Sequence, residues 1–166
     1  MGKEPVQNSS YVFKIPEIKM ESQMKNERSA LKIDRIFVYG TLMRGQCRDH
    51  VLDFDDNIIS IETGQTNGLL YDLGEFPGMV LSPGATNTVT GEVFHVQDVK
   101  KSLSVLDEIE GFGGYGAKES LYIRTIVTVN DAAGNNSPAW CYLFNQHDGL
   151  DKRIESGNWK TRHELT

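Results

Sequence analysis

Two stretches of this chain bring together residue types that could do chemistry. The first is Tyr39-Gly-Thr-Leu-Met-Arg-Gly45, where a β-rich run, Arg35 to Tyr39, is stopped by Gly40. Glycine lets backbone N–H groups approach a ligand closely, and successive N–H groups in such a turn can hold a carboxylate. No Gly-Lys-Ser/Thr follows, so this is not a P-loop. A plain strand-to-loop turn accounts for the same residues. The second is Glu110. Val99, Leu103 and Leu106 share one face of a helix, and Glu110 stands four residues after Leu106 and seven after Leu103, on the same apolar stripe. Val105 and Ile109 add a second apolar row, which leaves the helix largely enclosed.

A carboxylate on such a stripe costs free energy unless something pairs with it or uses it. Desolvation raises its pKa, and a carboxylate with a raised pKa is a better base near neutral pH. The structural alternative pairs Glu110 with Arg124 or with a tyrosine hydroxyl. Asp107 competes for the same role, because it lies only about 40° from Leu103 on an ideal helix. Glu108 points elsewhere and reads as solvated.

The other candidates carry less. His50, His95, His147 and His163 show no metal-ligand spacing, so no metal site is expected. Cys47 and His50 are close enough in sequence to suggest a thiol nucleophile, but catalytic Cys–His pairs are rarely local. Cys47 and Cys141 form neither a disulfide framework nor a CxxC pattern. Tyr71, Tyr122 and Tyr142 read as packing residues. Gly111-Phe-Gly-Gly-Tyr-Gly116, directly after Glu110, is a lid or a mobile surface loop.

Short strands must position these groups. Beside Arg35 to Tyr39, strands are predicted at Asn57 to Thr63, Gly68 to Leu73, Met79 to Leu81, Thr88 to Val96, Tyr122 to Val129 and Ala139 to Phe144. Tyr122 to Val129 is the strongest because it is rich in β-branched residues. Asp131 to Asn136 reads as the hairpin turn that returns it to its partner. A helix is predicted from Asp98, which can cap it, to Glu110, with Gly111 as the C-terminal cap. A second, short helix is expected at Val51 to Asp55. This order is not the alternating pattern of a parallel α/β sheet. It predicts an α+β domain with a small, mostly antiparallel β-barrel and flanking helices.

The chain has 166 residues, enough for one domain with a core and one pocket. Residues 1–30 are polar, carry Met1, Met20 and Met24, and sustain no period, so they are expected to be a flexible extension with a short helix near Glu21 to Leu31. The folded domain is expected over residues 31–166. A net charge of −6 argues against nucleic acid and anionic membrane surfaces. No apolar run approaches the roughly 18 residues of a membrane span. No signal peptide is visible, and Val6 stands where a myristoylation motif has Ser or Thr. A cytoplasmic location is the default expectation.

Taken in order, Val38-Tyr-Gly-Thr-Leu42 with Arg44-Gly45, Gly68-Leu-Leu-Tyr-Asp-Leu73, Gly91-Glu-Val-Phe94, Leu106-Asp-Glu-Ile-Glu-Gly111, Leu121-Tyr-Ile-Arg-Thr-Ile-Val127 and Ala139-Trp-Cys-Tyr142 resemble the γ-glutamylcyclotransferase-like family. That family includes γ-glutamylamine cyclotransferase and the butirosin-type enzymes, whose tail Ile154-Glu-Ser-Gly-Asn-Trp159 also resembles. The resemblance covers about residues 33–160. It implies that Tyr39, Gly40, Thr41 and Leu42 hold a glutamyl group and that Glu110 is the general acid/base. The implied reaction cyclises a γ-glutamyl amine or amide to 5-oxoproline without a cofactor, and the implied partner is a small γ-glutamyl molecule. A non-catalytic module that binds small γ-glutamyl compounds, or an interaction scaffold, would keep the fold without turnover.

Overall fold

In the computed structural model, residues 25, 32–82, 84, 86–146 and 148–163 are described. The chain divides into Met1–Lys32 and Ile33–Thr166, and the fold is that of the second unit. The helix expected near Glu21 to Leu31 falls, apart from Lys25, outside the described residues.

Among the described residues the β-branched and aromatic runs form seven strands: β1 (Arg35–Val38), β2 (Ile58–Asn67), β3 (Leu69–Asp72), β4 (Pro77–Val80), β5 (Thr88–Val96), β6 (Tyr122–Asp131) and β7 (Asn136–Phe144). Five of them close into a barrel in the order β1-β5-β2-β6-β7. Every barrel pairing is antiparallel except β1 with β7, which meet in parallel at Ile36 and Trp140. Closure leaves this sheet without a free edge. β3 and β4 form a separate two-stranded sheet, with Gly78 lying against Phe144 of β7. The predicted strands are all present, and β2 runs four residues further than expected, to Asn67. At the β6–β7 turn the Asp131 carboxylate accepts the N–H groups of Ala133 and Asn135 at 2.9 and 2.8 Å.

The interior is filled from the strands, in places on both faces, and from the helix. Ile36, Phe37, Val89, Val93, Phe94 and Val96 are all essentially inaccessible, together with Leu106. The tail completes the packing. Ile154 donates its N–H to Leu70, Gly157 accepts from Thr90, and Trp159 is buried at the start of the 3-10 turn Trp159–Thr161.

Helix α1 (Val99–Ile109) lies where the sequence predicts it. Asp98 caps its start by accepting the Lys101 N–H at 3.0 Å, a device that contributes about 1 kcal/mol. Val99, Leu103 and Leu106 face the core as expected, and the Val105–Ile109 row is half-buried. Glu110 is the last residue before the chain turns. Gly111 takes a φ of 63°, its N–H reaches Glu108, and the Phe112 N–H reaches Asp107 at 2.9 Å. These two bonds close a Schellman motif, which a glycine at that position favours because left-handed backbone crowds a Cβ.

The short helix expected at Val51 to Asp55 is not formed. This stretch is a succession of turns that ends with Asp55 and Asp56 at φ 49° and 51°. Left-handed backbone at two successive residues does not continue a right-handed helix.

Candidate active site

β1 carries the chain out of the barrel wall into residues 39–42, and the following turn is tied back by Met43 N–H to Gly40 O at 3.1 Å and Arg48 N–H to Thr41 O at 2.9 Å. Arg44 fixes this turn from outside. Its N–H donates to Glu92 of β5 at 2.7 Å, and its guanidinium grips Asp53 through two bonds of 2.7 and 2.8 Å. Among the described residues, the N–H groups of Gly40, Thr41 and Leu42 donate to nothing in the protein. Three consecutive free donors on one turn can receive an anion.

Gly40 is required for a reason the sequence does not reveal. A Cβ there would lie 2.5 Å from Cγ and 2.8 Å from Cδ of Pro77. Its φ is not in the left-handed region, so the constraint is close approach between the turn and β4.

Tyrosine hydroxyls bind the walls to one another. Tyr39 Oη donates to the Tyr142 carbonyl at 2.7 Å and accepts from Met79 N–H at 3.3 Å. Tyr122 Oη donates to the Pro77 carbonyl at 2.6 Å. Burial pushes the hydroxyls of Tyr39, Tyr122 and Tyr142 well above the ordinary tyrosine range, so all three stay neutral. Their protons are committed to the scaffold, which makes them structural donors.

These walls enclose a cavity of about 120 Å³. Tyr39, Gly40, Thr41 and Leu42 all line it, and Glu110 lines it from the end of α1. The five site residues expected from the sequence are thus brought to one place. Phe37, Pro77 and Tyr122 supply its apolar lining. Among the described residues no side-chain hydrogen bond or ion pair reaches the Glu110 carboxylate. Burial raises its pKa from the ordinary 4.5 to about 7, against the smaller opposing pull of the Arg48 guanidinium.

Arg48 is the site residue that sequence reasoning missed. It lies in an irregular turn, six residues beyond Leu42, and nothing in its neighbours or spacing marks it. Only the closure of the turn, through its own N–H to Thr41, brings it to the cavity.

Asp107 goes elsewhere. Its Oδ2 accepts from Arg124 Nη1 at 2.6 Å and its Oδ1 from Tyr142 Oη at 2.6 Å. The arginine and the tyrosine that the structural alternative would have given to Glu110 are therefore the partners of Asp107. Arg124 is held further by lying over the rings of Phe112 and Trp140, at 5.2 and 5.4 Å from their centroids. Asp107 does not line the cavity.

The remaining candidates are placed apart from this cavity. Cys47 is exposed, and His50 makes a 3.9 Å contact with Asp49. The Cys141 thiol is fully buried, and burial followed by the charge of Glu110 pushes its pKa up, so it is no thiolate. Among the described residues no three His, Cys, Asp or Glu side chains are grouped to hold a metal ion. No described helix is long and apolar enough to cross a membrane. The loop after Glu110 does not line the cavity either; its Phe112 and Tyr115 rings stack edge to face at 5.1 Å, with Tyr115 largely exposed.

Comparison with known proteins gives a consistent result. The sequence profile described as gamma-glutamyl cyclotransferase, AIG2-like, matches residues 36–161. The chain is 31% identical over 126 residues to the gamma-L-glutamyl-butirosin B gamma-glutamyl cyclotransferase of Niallia circulans, covering 75% of this chain and 74% of that one. Its fold is similar to that of an AIG2-like protein from Mus musculus, with a TM-score of 0.59 and 27% identity over 72% of this chain and 84% of the other. It is also similar to YkqA from Bacillus subtilis, with a TM-score of 0.58 and 27% identity, where the match takes in 76% of this chain but only 39% of the longer YkqA chain.

Proposed function

The chain belongs to the gamma-glutamyl cyclotransferase, AIG2-like family, and from that premise we propose that it releases an amine from a γ-glutamyl amine or amide by cyclising the glutamyl group to 5-oxoproline, with Glu110 as general acid/base. The observation that carries this reading is that one cavity is lined both by the unbonded carboxylate residue Glu110 and by three consecutive residues whose backbone N–H groups are free.

The chemistry uses a nucleophile that the substrate supplies. The α-amine nitrogen attacks the γ-carbonyl carbon, a C–N bond forms to close the five-membered ring, and the C–N bond to the leaving amine breaks. No water is consumed. Because both reacting ends belong to one molecule, the protein's contribution is to hold it folded and to exclude other conformers. The cavity, about 120 Å³, is of the order of the ~150 Å³ that takes up a benzene ring, so it suits one folded glutamyl group.

Only the free amine is nucleophilic, so the α-ammonium proton must leave first. Glu110, with its pKa near 7, takes that proton as the carboxylate and passes it to the departing amine nitrogen; the second proton, which the attacking nitrogen sheds as the ring closes, follows the same route, so the amine leaves as an ammonium ion. The N–H groups of Gly40, Thr41 and Leu42 receive the glutamyl α-carboxylate or the developing oxyanion. Tyr39 contributes through its backbone and ring, since its hydroxyl is already committed on both sides.

Hydrolysis would free the same amine but release glutamate. Reaction in ¹⁸O-labelled water separates the two. The expected product is unlabelled 5-oxoproline. Labelled glutamate as the primary product sinks the cyclisation, and binding without turnover of a panel of γ-glutamyl amines leaves a binding module.

A further inference from the structure

Among the described residues two charged side chains line the cavity, Glu110 and Arg48. Arg44, Arg124 and Arg153 are each ion-paired, to Asp53, Asp107 and Glu155. Arg48 is not: among the described residues its side chain makes no hydrogen bond or ion pair, and its charge is felt by Glu110 across the cavity. Its residue is exposed, whereas Phe37, Tyr39, Leu42 and Tyr122 are buried, so Arg48 stands at the mouth and the others form the floor. A guanidinium offers several donors in a fixed fork and loses little hydration on pairing with a carboxylate. One held at a cavity mouth without a partner is available to a ligand.

The proposed reaction says which end of the ligand meets it. The glutamyl group occupies the enclosed space, where the free N–H groups of residues 40–42 receive its α-carboxylate or the developing oxyanion. The leaving amine must depart, so it lies on the open side, where Arg48 is. Resting on the cyclotransferase reading, we infer that Arg48 is a specificity residue that selects γ-glutamyl amides whose leaving amine carries an anionic group, and that it disfavours cationic leaving amines. Charge-assisted bonds are about twice as strong as neutral ones, and like charges brought together at the mouth repel.

Three γ-glutamyl amides with the same short chain test this: those of β-alanine, propylamine and 1,3-diaminopropane, which end in a carboxylate, a methyl group and an ammonium. The parent protein is expected to show kcat/KM for 5-oxoproline release in that order, with about ten-fold or more between the first and the last. Arg48→Ala should compress that range to within about three-fold, Arg48→Lys should keep part of it, and Arg48→Glu should invert the order. The ratio between substrates is the readout, because a change in Glu110's basicity on losing Arg48 acts on all three alike. Equal treatment of the three by the parent overturns the inference. So does an Arg48→Ala variant that loses the same factor on each, which would assign the guanidinium to the glutamyl α-carboxylate. If none of the three yields 5-oxoproline, the cyclotransferase reading fails by itself. Calorimetric Kd values for the same three compounds then decide: a parental order of affinity that Arg48→Ala erases upholds the role of Arg48, and three equal affinities overturn it.

Discussion

Asp107 and Glu110 sit on the same turn of the same helix and share a face, yet they live in opposite surroundings. Asp107 is half-buried and saturated: a guanidinium on one oxygen, a tyrosine hydroxyl on the other, both at 2.6 Å. Glu110 faces an apolar cavity with no bonded partner among the described residues, and its pKa is pushed to about 7. A pairing as complete as that of Asp107 fixes α1 to β6 and β7 through Arg124 and Tyr142. An unpaired carboxylate does the reverse: it costs stability and gains basicity, as groups that act in catalysis often do. The contrast teaches that helical position selects which carboxylates point inward, while the elements facing them decide which is structural.

The comparison is broken most directly at Glu110. Glu110→Gln keeps the shape and removes the base, so turnover is expected to fall about 10²-fold or more with the fold retained. Turnover above a tenth of the parent rate removes Glu110 from the mechanism. In the parent, the acid limb of kcat/KM should lie near pH 7, because the base works only when ionised, and it should be absent from the residual activity of the Gln variant.

Asp107→Ala attacks the other side. It strands Arg124 and the Tyr142 hydroxyl, and a partly buried pair broken at one end costs about 3 kcal/mol. For a chain of this size that is roughly 6–12 °C in Tm, measured by calorimetry. A variant that melts with the parent would show the network to be dispensable.

The two carboxylates also differ in how stability follows pH. Glu110 ionises less readily folded than unfolded, with a pKa of about 7 against 4.5. The contribution of this group is therefore fully favourable below pH 4.5 and is lost as pH rises through 7. Between pH 5 and pH 8 the parent should lose about 2 kcal/mol relative to Glu110→Gln, read from urea unfolding at both pH values. An identical stability difference at the two pH values would contradict the desolvated setting of Glu110.

The smallest effect sharpens the contrast by supplying its baseline. Glu108 lies between the two and is exposed. Glu108→Gln should change stability by no more than about 0.5 kcal/mol and leave turnover as it was. A larger loss in either measure would mean that this face of α1 is not solvated as the spacing indicates.

Much of this protein is legible in its sequence, for physical reasons that act locally. The β-branched run from Tyr122 could only be a strand, the spacing of Val99, Leu103 and Leu106 put Glu110 on a core stripe, and Asp98 with Gly111 marked both ends of α1. Caps, periodicity and turn residues depend on neighbours within about four positions, so the sequence by itself determined the strands, α1 and the direction in which Glu110 points, but not the turns at Val51 to Asp55. The tertiary structure decided what meets it there. Barrel closure in the order β1-β5-β2-β6-β7 places β7 beside β1, and the rest of the site is set by contacts between residues distant in sequence. Arg124 and Tyr142 go to Asp107, Pro77 presses on Gly40, and Arg48 reaches the cavity because a turn folds back on Thr41. The choice between a saturated carboxylate and a free one is made by such long-range partners, and no local pattern encodes it.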